Sequence, residues 1–347
     1  MRRSTASPVT SGRRADAVPA VDVAGEFETI ERLLRPLAHP DYARDLADDV
    51  AVLPSRPGFD LVLTKDAIVE GVHFLPDDPL DTVAQKLLRT NLSDLAAKGA
   101  EPFGYLLACH WSERCGWPER QAFAAGLAVD QKAFGVSLLG GDTVVTPGLA
   151  SFSATLLGWV PRGGAPTRAG ARPGDAVYVT GTIGDGWLGL QAAQGRLSLD
   201  PERVAALAEH YRRPVPRLEF GQAVRGLVSA MMDVSDGLVA DAAHIARASG
   251  VGLEFDLEVT PLSAAAHAWF DNRIDPEAAM KKLVTGGDDY ELLLTASERE
   301  ESALRREADR LRLRLTRIGR VVSGAGVEAR YLGKPVRIDH GGWTHGG

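Results

Sequence analysis

The sequence predicts an α/β (α+β) protein built from two domains, and three observations lead to this prediction. The chain has 347 residues, whereas a single hydrophobic core rarely extends past about 250 residues. Helical and strand-like patterns alternate along most of its length. A run rich in proline and glycine at 161–175 interrupts them. We therefore predict an N-terminal domain at 25–160, a linker at 161–175 and a C-terminal α/β domain at 176–347.

The spacing of apolar residues predicts the elements of both halves. Apolar residues three and four positions apart indicate helices, and short runs of β-branched and aromatic residues indicate strands. For the first half we predict a helix from about residue 25, a strand at 61–65, a helix at 80–98, a strand at 103–110, a helix at 117–134 and a strand at 151–159. For the second half we predict strands at 176–180, 229–232, 252–256 and 291–295 with helices between them, and a helix at 298–313.

Composition excludes several classes of protein. A net charge of −7 argues against nucleic acid as a main partner, because phosphate backbones need a basic surface. No apolar run reaches the length of a membrane span. Cys109 and Cys115 form no C-x-x-C pair, which argues against disulfides and zinc and favours a cytoplasmic location. Residues 1–24 combine arginines with small and turn-forming residues, so we predict a disordered tail there.

The most informative feature is a set of aspartates in turn-like or glycine-rich surroundings. They are Asp48, Asp49, Asp66, Asp94, Asp142, Asp233, Asp236, Asp288 and Asp289. Taken singly, each is most simply a helix cap or a turn residue. Asp233, however, follows the apolar pair Met231-Met232 and needs a partner there. Magnesium is a natural partner, because it usually joins carboxylates to substrate phosphates.

Two of these aspartates fit a solvated surface poorly. Asp94 lies between Leu92 and Leu95 on a predicted helix, and Asp142 follows an apolar run and two glycines. Asn91 stands three positions before Asp94, so both side chains could face one site. We expect Asp94 and Asp142 to crowd around magnesium.

Glycine-rich turns give a second indication. The turn at 180–186 follows a predicted strand and leads into a helix, so its N–H groups could hold an anion. A G-x-G-x-x-G pattern at 184–189 matches the dinucleotide fingerprint, but it lies in mid-chain and leaves the aspartates unexplained. The pairs at 140–141 and 286–287 each precede an aspartate and permit close backbone approach. No G-x-x-x-x-G-K-[ST] motif occurs in the sequence, which excludes a P-loop.

One pattern occurs twice. A Ser-Asp pair precedes a Gly-Gly-Asp in both halves, with the aspartates at Asp94 and Asp142 and then at Asp236 and Asp288. An internal duplication would explain this echo, although two short motifs are weak evidence for one.

Taken in order, these motifs resemble the thiamine-monophosphate kinase family. They are Gly25-Glu26-Phe27, Asp48-Asp49-Val50-Ala51, Val69-Glu70-Gly71-Val72-His73-Phe74, Asn91-Leu92-Ser93-Asp94, Gly140-Gly141-Asp142-Thr143, Val179-Thr180-Gly181-Thr182, Asp233-Val234-Ser235-Asp236 and Gly286-Gly287-Asp288-Asp289-Tyr290-Glu291-Leu292. The Val-Glu-Gly-Val-His-Phe and Gly-Gly-Asp-Asp-Tyr-Glu-Leu runs are the more specific ones. The shorter pieces also occur in aminoimidazole ribonucleotide synthetase and selenophosphate synthetase.

The resemblance implies a fold, ligands and site residues. The fold is aminoimidazole ribonucleotide synthetase-like, with an N-terminal ATP-binding domain whose β-structure forms a homodimer, and a C-terminal α/β domain. Several Mg²⁺ ions would be held at Asp49, Thr64, Lys65, Asp66, Asp94, Asp142, Asp233 and Asp236. ATP would lie near Gly141, Asp142, Arg168 and Ser235. Thiamine phosphate would contact His73, Asp288 and Trp343. In such a fold the two domains differ, and the echo described above is a coincidence.

Three positions depart from the family pattern. Ala47 replaces the usual glycine before the paired aspartates, so that turn must form without a positive φ. Lys65 replaces a hydroxyl residue, so only its backbone carbonyl could serve a metal. Asp288 replaces a glutamate and is one methylene shorter.

The expected activity is direct in-line transfer of the ATP γ-phosphate to thiamine phosphate, without a phosphoenzyme. The acceptor phosphate is already anionic, so no residue is needed as a general base. Two alternatives remain open from the sequence. One is an ATP-dependent synthetase of the same superfamily, and the other is a non-catalytic sensor of nucleotide or thiamine phosphate. Release of ADP would separate an enzyme from a sensor.

Overall fold

The computed structural model describes residues 25–338 and 341–342. The tail predicted at 1–24 and the predicted substrate contact Trp343 therefore lie outside the described residues. The first half contains α1 (Glu26–Thr29), β1 (Phe59–Val69), α2 (Leu80–Ala97), β2 (Glu101–Ser112), α3 (Trp117–Phe134), β3 (Ser137–Thr146) and β4 (Ser151–Pro161). A π-helical turn at Ile30–Leu34 and a 3₁₀ turn at Arg35–Leu37 continue α1.

The first half folds into a four-stranded sheet with the order β1-β4-β2-β3. The register places Asp66 of β1 opposite Ala154, Ala154 opposite Leu107, and Leu107 opposite Gly141 of β3. Asp66 and Gly141 therefore lie in one row but at opposite edges of the sheet. Three strand spacings separate β1 from β3, which is about 14 Å.

The two faces of this sheet differ. The Thr64 side chain points toward α2, because its hydroxyl donates to Asp94, and Asp66, two positions further along the strand, shares that face. Side chains in a strand alternate between faces, so Leu61 and Leu63 point the other way. They are 40% and 58% exposed. The sheet therefore carries an uncovered apolar face in the single chain.

The second half forms a seven-stranded mixed sheet with the order β11-β10-β7-β9-β5-β8-β6. Its strands are β5 (Ala176–Thr180), β6 (Ala230–Val234), β7 (Gly252–Asp256), β8 (Glu291–Ala296), β9 (Leu315–Val322), β10 (Gly326–Tyr331) and β11 (Lys334–Val336). Its helices are α4 (Asp185–Ala193), α5 (Pro201–Arg212), α6 (Leu218–Val224), α7 (Leu238–Ser249), α8 (Ala264–Phe270), α9 (Pro276–Thr285) and α10 (Glu301–Arg310).

Helix α2 is shared by both sheets. Its Leu87, Leu92 and Leu95 are fully buried in a core that also contains Met231 of β6 and Leu294 of β8. Burial of a leucine side chain stabilises a fold by about 2 kcal/mol, so this helix is fixed against both halves. The α2 backbone therefore has a fixed position relative to the loops after β6 and α9, toward which some of its side chains project.

Most predicted elements are present, and the differences have local causes. The helix predicted at 117–134 matches α3, and the one predicted at 298–313 is shorter, since a 3₁₀ turn precedes α10 at Glu301. The sequence analysis missed β3, because its two glycines and aspartate are unfavourable for strands. It also missed β9, β10 and β11, whose arginines and glycines hide the alternation. The domain boundary at 161–175 stays a prediction, and the chain there connects β4 to β5.

The echo between the halves does not reflect a repeated structure. Asp94 lies within α2, whereas Asp236 lies in the loop between β6 and α7. The two sheets also differ in strand number and order. Among the described residues, no helix is both long enough and apolar enough to cross a membrane.

Candidate active site

A cavity of about 230 Å³ lies where α2 meets the loops that follow β6 and α9. Seven of the residues predicted from the sequence line it, namely Asp66, His73, Asp94, Asp233, Ser235, Asp236 and Asp288. They come from both halves of the chain. The long-range pairing of α2 with the second sheet therefore builds the site.

Two of the carboxylates are set by β1 and α2. The Asp66 amide donates to Asn91 Oδ1 at 3.1 Å, which ties the strand to the helix. The Thr64 hydroxyl donates to Asp94 Oδ2, and Asp66 and Asp94 line the same cavity. Asn91 and Asp94 do share one face of α2, as their spacing predicts.

Asp233 occupies the end of β6 and is 4% exposed. Its Oδ2 accepts a hydrogen bond of 2.8 Å from the Ser93 hydroxyl of α2. This one neutral donor cannot compensate a buried negative charge. The sequence prediction that Asp233 needs a further partner agrees with this geometry.

The electrostatics of the cavity favour a cation. Burial raises the pKa of Asp66 to about 6, and the charges of Asp94 and Asp236 add to the effect. Burial and then the Asp94 charge raise the pKa of Asp233 to about 8. Burial also raises the pKa of Asp94, although the Thr64 hydroxyl opposes this. Carboxylates that repel one another in a partly buried cavity are suited to hard divalent cations.

Two basic residues accompany these acids. Lys98, at the end of α2, donates to the Met231 carbonyl at 3.3 Å, and burial and then the Arg168 charge lower its pKa. Arg168 is exposed and does not line the cavity, but its positive charge lowers the pKa of both Asp94 and Lys98. Its predicted role at the ATP phosphates stays a prediction. The sequence analysis assigned no role to Lys98, since its burial depends on β6.

Asp236 belongs to a second small group with Asp241 and His244 of α7. One ligand atom from each lies within 4.8 Å of the others. Asp241 accepts the backbone N–H groups of Ser235, Asp236 and Gly237, so it holds the loop that carries Asp236. Burial raises the pKa of Asp241 to about 7. The i, i+3 spacing of Asp241 and His244 is the sequence signal for this group, and neither residue was among the predicted site residues.

Three predicted residues lie elsewhere. Asp49, Gly141 and Asp142 line a separate pocket of about 460 Å³ between the β3 edge and residues 26–53. Asp142 is exposed in the single chain, contrary to the expectation that a solvated position suits it poorly. Its Oδ1 accepts the Thr143 amide at 2.8 Å. The single chain does not bring these residues to the Asp66 cavity.

Two departures from the family pattern have visible consequences. The Lys65 side chain lies on the opposite face from Asp66 and donates to the Ser153 hydroxyl at 3.1 Å. Ala47 has φ −103, so it needs no positive φ. The left-handed conformation falls instead on Arg44, Asp45 and Leu46, with φ between 47° and 57°.

The glycine-rich turn at 180–186 does not offer its amides to a ligand. The buried Asp289 carboxylate accepts N–H groups from Gly184 and Gly186 at 2.9–3.0 Å. The expectation of an external anion there is wrong, because the protein supplies its own carboxylate. The Asp289 contact accounts for Gly184 and Gly186 of the G-x-G-x-x-G pattern without a dinucleotide, and Gly189 packs against the Leu207 carbonyl, where a Cβ would come within 2.3 Å.

Comparison with known proteins agrees with this architecture. Residues 47–160 match the family described as AIR synthase related protein, N-terminal domain, and residues 172–332 match its C-terminal domain. A thiamine-monophosphate kinase from Caulobacter vibrioides is 51% identical over 331 residues, covering 95% of this chain and 93% of that protein. The fold is thus the two-domain aminoimidazole ribonucleotide synthetase-like fold.

Solved structures are also similar. A thiamine-monophosphate kinase from Stenotrophomonas maltophilia superimposes with a TM-score of 0.77 at 36% identity, covering 87% of this chain and 94% of that one. A structure described as AaThiL complexed with AMPPCP and TMP gives a TM-score of 0.73 at 30% identity, covering 92% and 97%.

Proposed function

This chain belongs to the thiamine-monophosphate kinase family, and on that premise we propose that it transfers the γ-phosphoryl group of ATP to thiamine phosphate. The products are thiamine diphosphate and ADP. The observation that carries the proposal is the convergence of Asp66, Asp94 and Asp233 in one cavity with His73 and Asp288. This convergence supports a cation-binding role for the three carboxylates and an acceptor-binding role for His73 and Asp288.

Magnesium fits the carboxylate cluster, since the raised pKa values of Asp66, Asp94 and Asp233 show that their surroundings disfavour the ionised form of each. We propose that these three residues hold it together with Asp236. When bound, it offsets a repulsion between donor and acceptor phosphates of about 4 kcal/mol per pair of unit charges at 4 Å and an effective dielectric of 20.

The residues of the chain orient the acceptor rather than activate it. Thiamine phosphate is anionic before it reacts, so no base is needed to remove a proton. Val69 donates its amide to His73 Nδ1 at 3.1 Å, which assigns the ring proton of a neutral imidazole to Nε2. Asp288 faces the same cavity. We propose that both bind the acceptor, through hydrogen bonds and the Asp288 charge.

We assign the nucleotide to the pocket that contains Asp49, Gly141 and Asp142. Its lining is largely apolar, with Ile30, Leu34, Leu138 and other aliphatic residues, and suits a purine base. The acidic residues at its rim suit magnesium bound to phosphates. Arg168 and Ser235 would contact the phosphates from the second half.

We further propose that the protein works as a homodimer. Asp66 and Gly141 lie at opposite edges of one sheet, about 14 Å apart by strand spacing, which is too far for shared metal ions. A second copy placed against the uncovered apolar face, where Leu61 and Leu63 are exposed, could bring the β3 edge of one chain to the β1 edge of the other. The site would then take residues from both copies.

A cytoplasmic location is consistent with this activity. ATP is supplied there, and Cys109 and Cys115 are both free thiols. In a disulfide-forming compartment, free thiols would be exposed to oxidation.

The test compares ADP release and product formation with thiamine phosphate, free thiamine and an aminoimidazole precursor as acceptors. We expect turnover only with thiamine phosphate and magnesium. Asp94→Asn should lower kcat at least a hundredfold, on the order of 3 kcal/mol in barrier. Equal turnover with a different acceptor would refute the proposed substrate, and ATP binding without ADP release would indicate a sensor.

A further inference from the structure

Lys86 is a buried cation that joins the two halves of the molecule. It lies on α2 and is 2% exposed. Its Nζ donates to Asp288 Oδ2 at 2.8 Å and to the His73 carbonyl at 3.1 Å. The same ammonium lies 3.7 Å from the centre of the Tyr211 ring. Lys86 thus contacts the two described residues that we assign to the acceptor.

The Asp288 carboxylate is held from two sides. Lys86 takes Oδ2, and the Tyr290 hydroxyl donates to Oδ1 at 3.0 Å. The backbone of Asp288 has φ +63, and its amide donates to the Ser235 carbonyl at 2.8 Å. A left-handed backbone at a non-glycine residue persists only where surrounding contacts fix it. The orientation of this carboxylate is therefore determined before any ligand binds.

The location of Lys86 on α2 connects its Asp288 contact with the carboxylate cluster at Asp94. Lys86, Thr90 and Asp94 are spaced four residues apart and so share one helix face. Eight residues of α-helix span about 12 Å. The rigid helix therefore fixes the distance between the Lys86–Asp288 pair and the carboxylate cluster at Asp94.

We propose that Lys86 is the positioning residue for acceptor binding, which rests on the function proposed above. Its ammonium aligns Asp288 and the His73 backbone, so that the acceptor meets a preformed site at a fixed distance from Asp94. Lys86 makes this contribution through Asp288 and His73, and it does not take part in the transfer itself. Preorganisation of this kind lowers the cost of binding one ligand without changing the other.

Lys86→Met tests the proposal, because methionine keeps the volume and removes the charge. We expect the KM for thiamine phosphate to rise at least tenfold, while the KM for ATP changes by less than about twofold. Calorimetric titration of thiamine phosphate alone should show the same loss of affinity. An unchanged KM for thiamine phosphate in a folded variant would overturn the proposal.

Arg89→Met is the matched control on the same helix. Arg89 is also largely buried, but its hydrogen bonds go to Asp130 and to the Arg213 and Pro214 carbonyls rather than to Asp288 and His73. It should lower the melting temperature without a selective change in acceptor KM. An equal selective rise in this variant would show that Lys86 acts by general loosening and would overturn the proposal.

Two further variants keep the test decisive. If Lys86→Met does not fold, Tyr290→Phe removes only the second hydrogen bond to Asp288 and should raise the acceptor KM by about threefold or more. No rise would overturn the proposal.

The double variant Lys86→Met with Asp288→Asn tests whether Lys86 acts through Asp288. The effects of the two changes on the acceptor KM should be less than additive, and full additivity would contradict an action through Asp288. Wild-type turnover is measured in the same experiment. If the proposed function is wrong, wild type itself will not turn over thiamine phosphate. If only the Lys86 proposal is wrong, wild type will be active and the variants will show the same acceptor KM.

Discussion

Asp233 combines nearly complete burial with a charge that a single serine hydroxyl cannot compensate. Asp66 and Asp94 share its cavity, and burial raises the pKa of each. Such groups disfavour the ionised folded state, so the protein without metal should be less stable than its apolar core alone would allow. The buried carboxylates thus lower the stability of the metal-free protein, and a bound cation would relieve this effect.

The raised pKa of Asp233 predicts that the stability of the metal-free protein depends on pH. An unfolded aspartate loses its proton near pH 3.9, whereas the pKa of folded Asp233 is raised to about 8 by burial and the Asp94 charge. The unfolded state therefore binds fewer protons in between, and the free energy of unfolding falls as pH rises from about 4 to about 8. Asp233→Asn cannot titrate, so its profile should be flatter over this window.

Denaturant unfolding of both proteins without metal, from about pH 5 to 8, measures the difference. Added magnesium should raise the melting temperature of wild type more than that of Asp233→Asn, because ligands that bind the native state stabilise it. Parallel pH profiles together with equal magnesium responses would assign Asp233 a purely structural role.

Site residues could be predicted from the sequence where their neighbours in the chain mark them, and could not where distant parts of the chain form their surroundings. The cavity aspartates stand in short glycine- and serine-rich motifs, so their own neighbours mark them. Lys86 resembles a solvated lysine of an amphipathic helix in the sequence, and only packing against Tyr211 and Asp288 buries it. His244 and Lys98 were missed for the same reason, since long-range contacts set their surroundings.

At the scale of elements, the parallel pair β2 and β3 depends on a close backbone approach at Gly141. A Cβ built there would come 1.8 Å from the Leu107 carbonyl oxygen, whereas one at Gly140 would meet only Leu106 Cδ2 at 3.6 Å. The two glycines are adjacent in one strand, yet only one of them is required by sterics. The sequence predicted close approach at this pair but not which glycine needs it.

Gly141→Ala should therefore destabilise the β3 edge, with Gly140→Ala as its matched control. We expect Gly141→Ala to lower the free energy of unfolding by about 2–4 kcal/mol and to raise the KM for ATP, because β3 lines the proposed nucleotide pocket. Gly140→Ala should cost less than about 1 kcal/mol. Thermal unfolding and ATP kinetics of both variants provide the measurement, and equal effects would mean that the strand shifts to accommodate either side chain.

At the scale of the whole molecule, the main discrepancy between sequence and structure is the division of the metal residues. The resemblance predicted one set, whereas the chain places Asp66, Asp94 and Asp233 at the β1 side and Asp49 with Asp142 at the β3 side. A linear sequence records which residues belong to a site but not which copy of the chain supplies them. The uncovered apolar face of the first sheet supports the second copy that we propose.

Mixing two inactive variants tests whether the site spans two copies. Asp66→Asn and Asp142→Asn should each be inactive alone, since each removes one predicted ligand from every site. If one copy supplies Asp66 and the other Asp142, a mixed dimer contains one site with both changes and one site with neither. Random exchange of subunits at equal amounts yields half mixed dimers, so activity should return to about a quarter of the wild-type rate. The measurement is turnover after co-expression or after denaturation and joint refolding, with each variant treated alone as the control. If every site lies within a single chain, each site in the mixture still carries one change, and activity stays at the level of the separate variants.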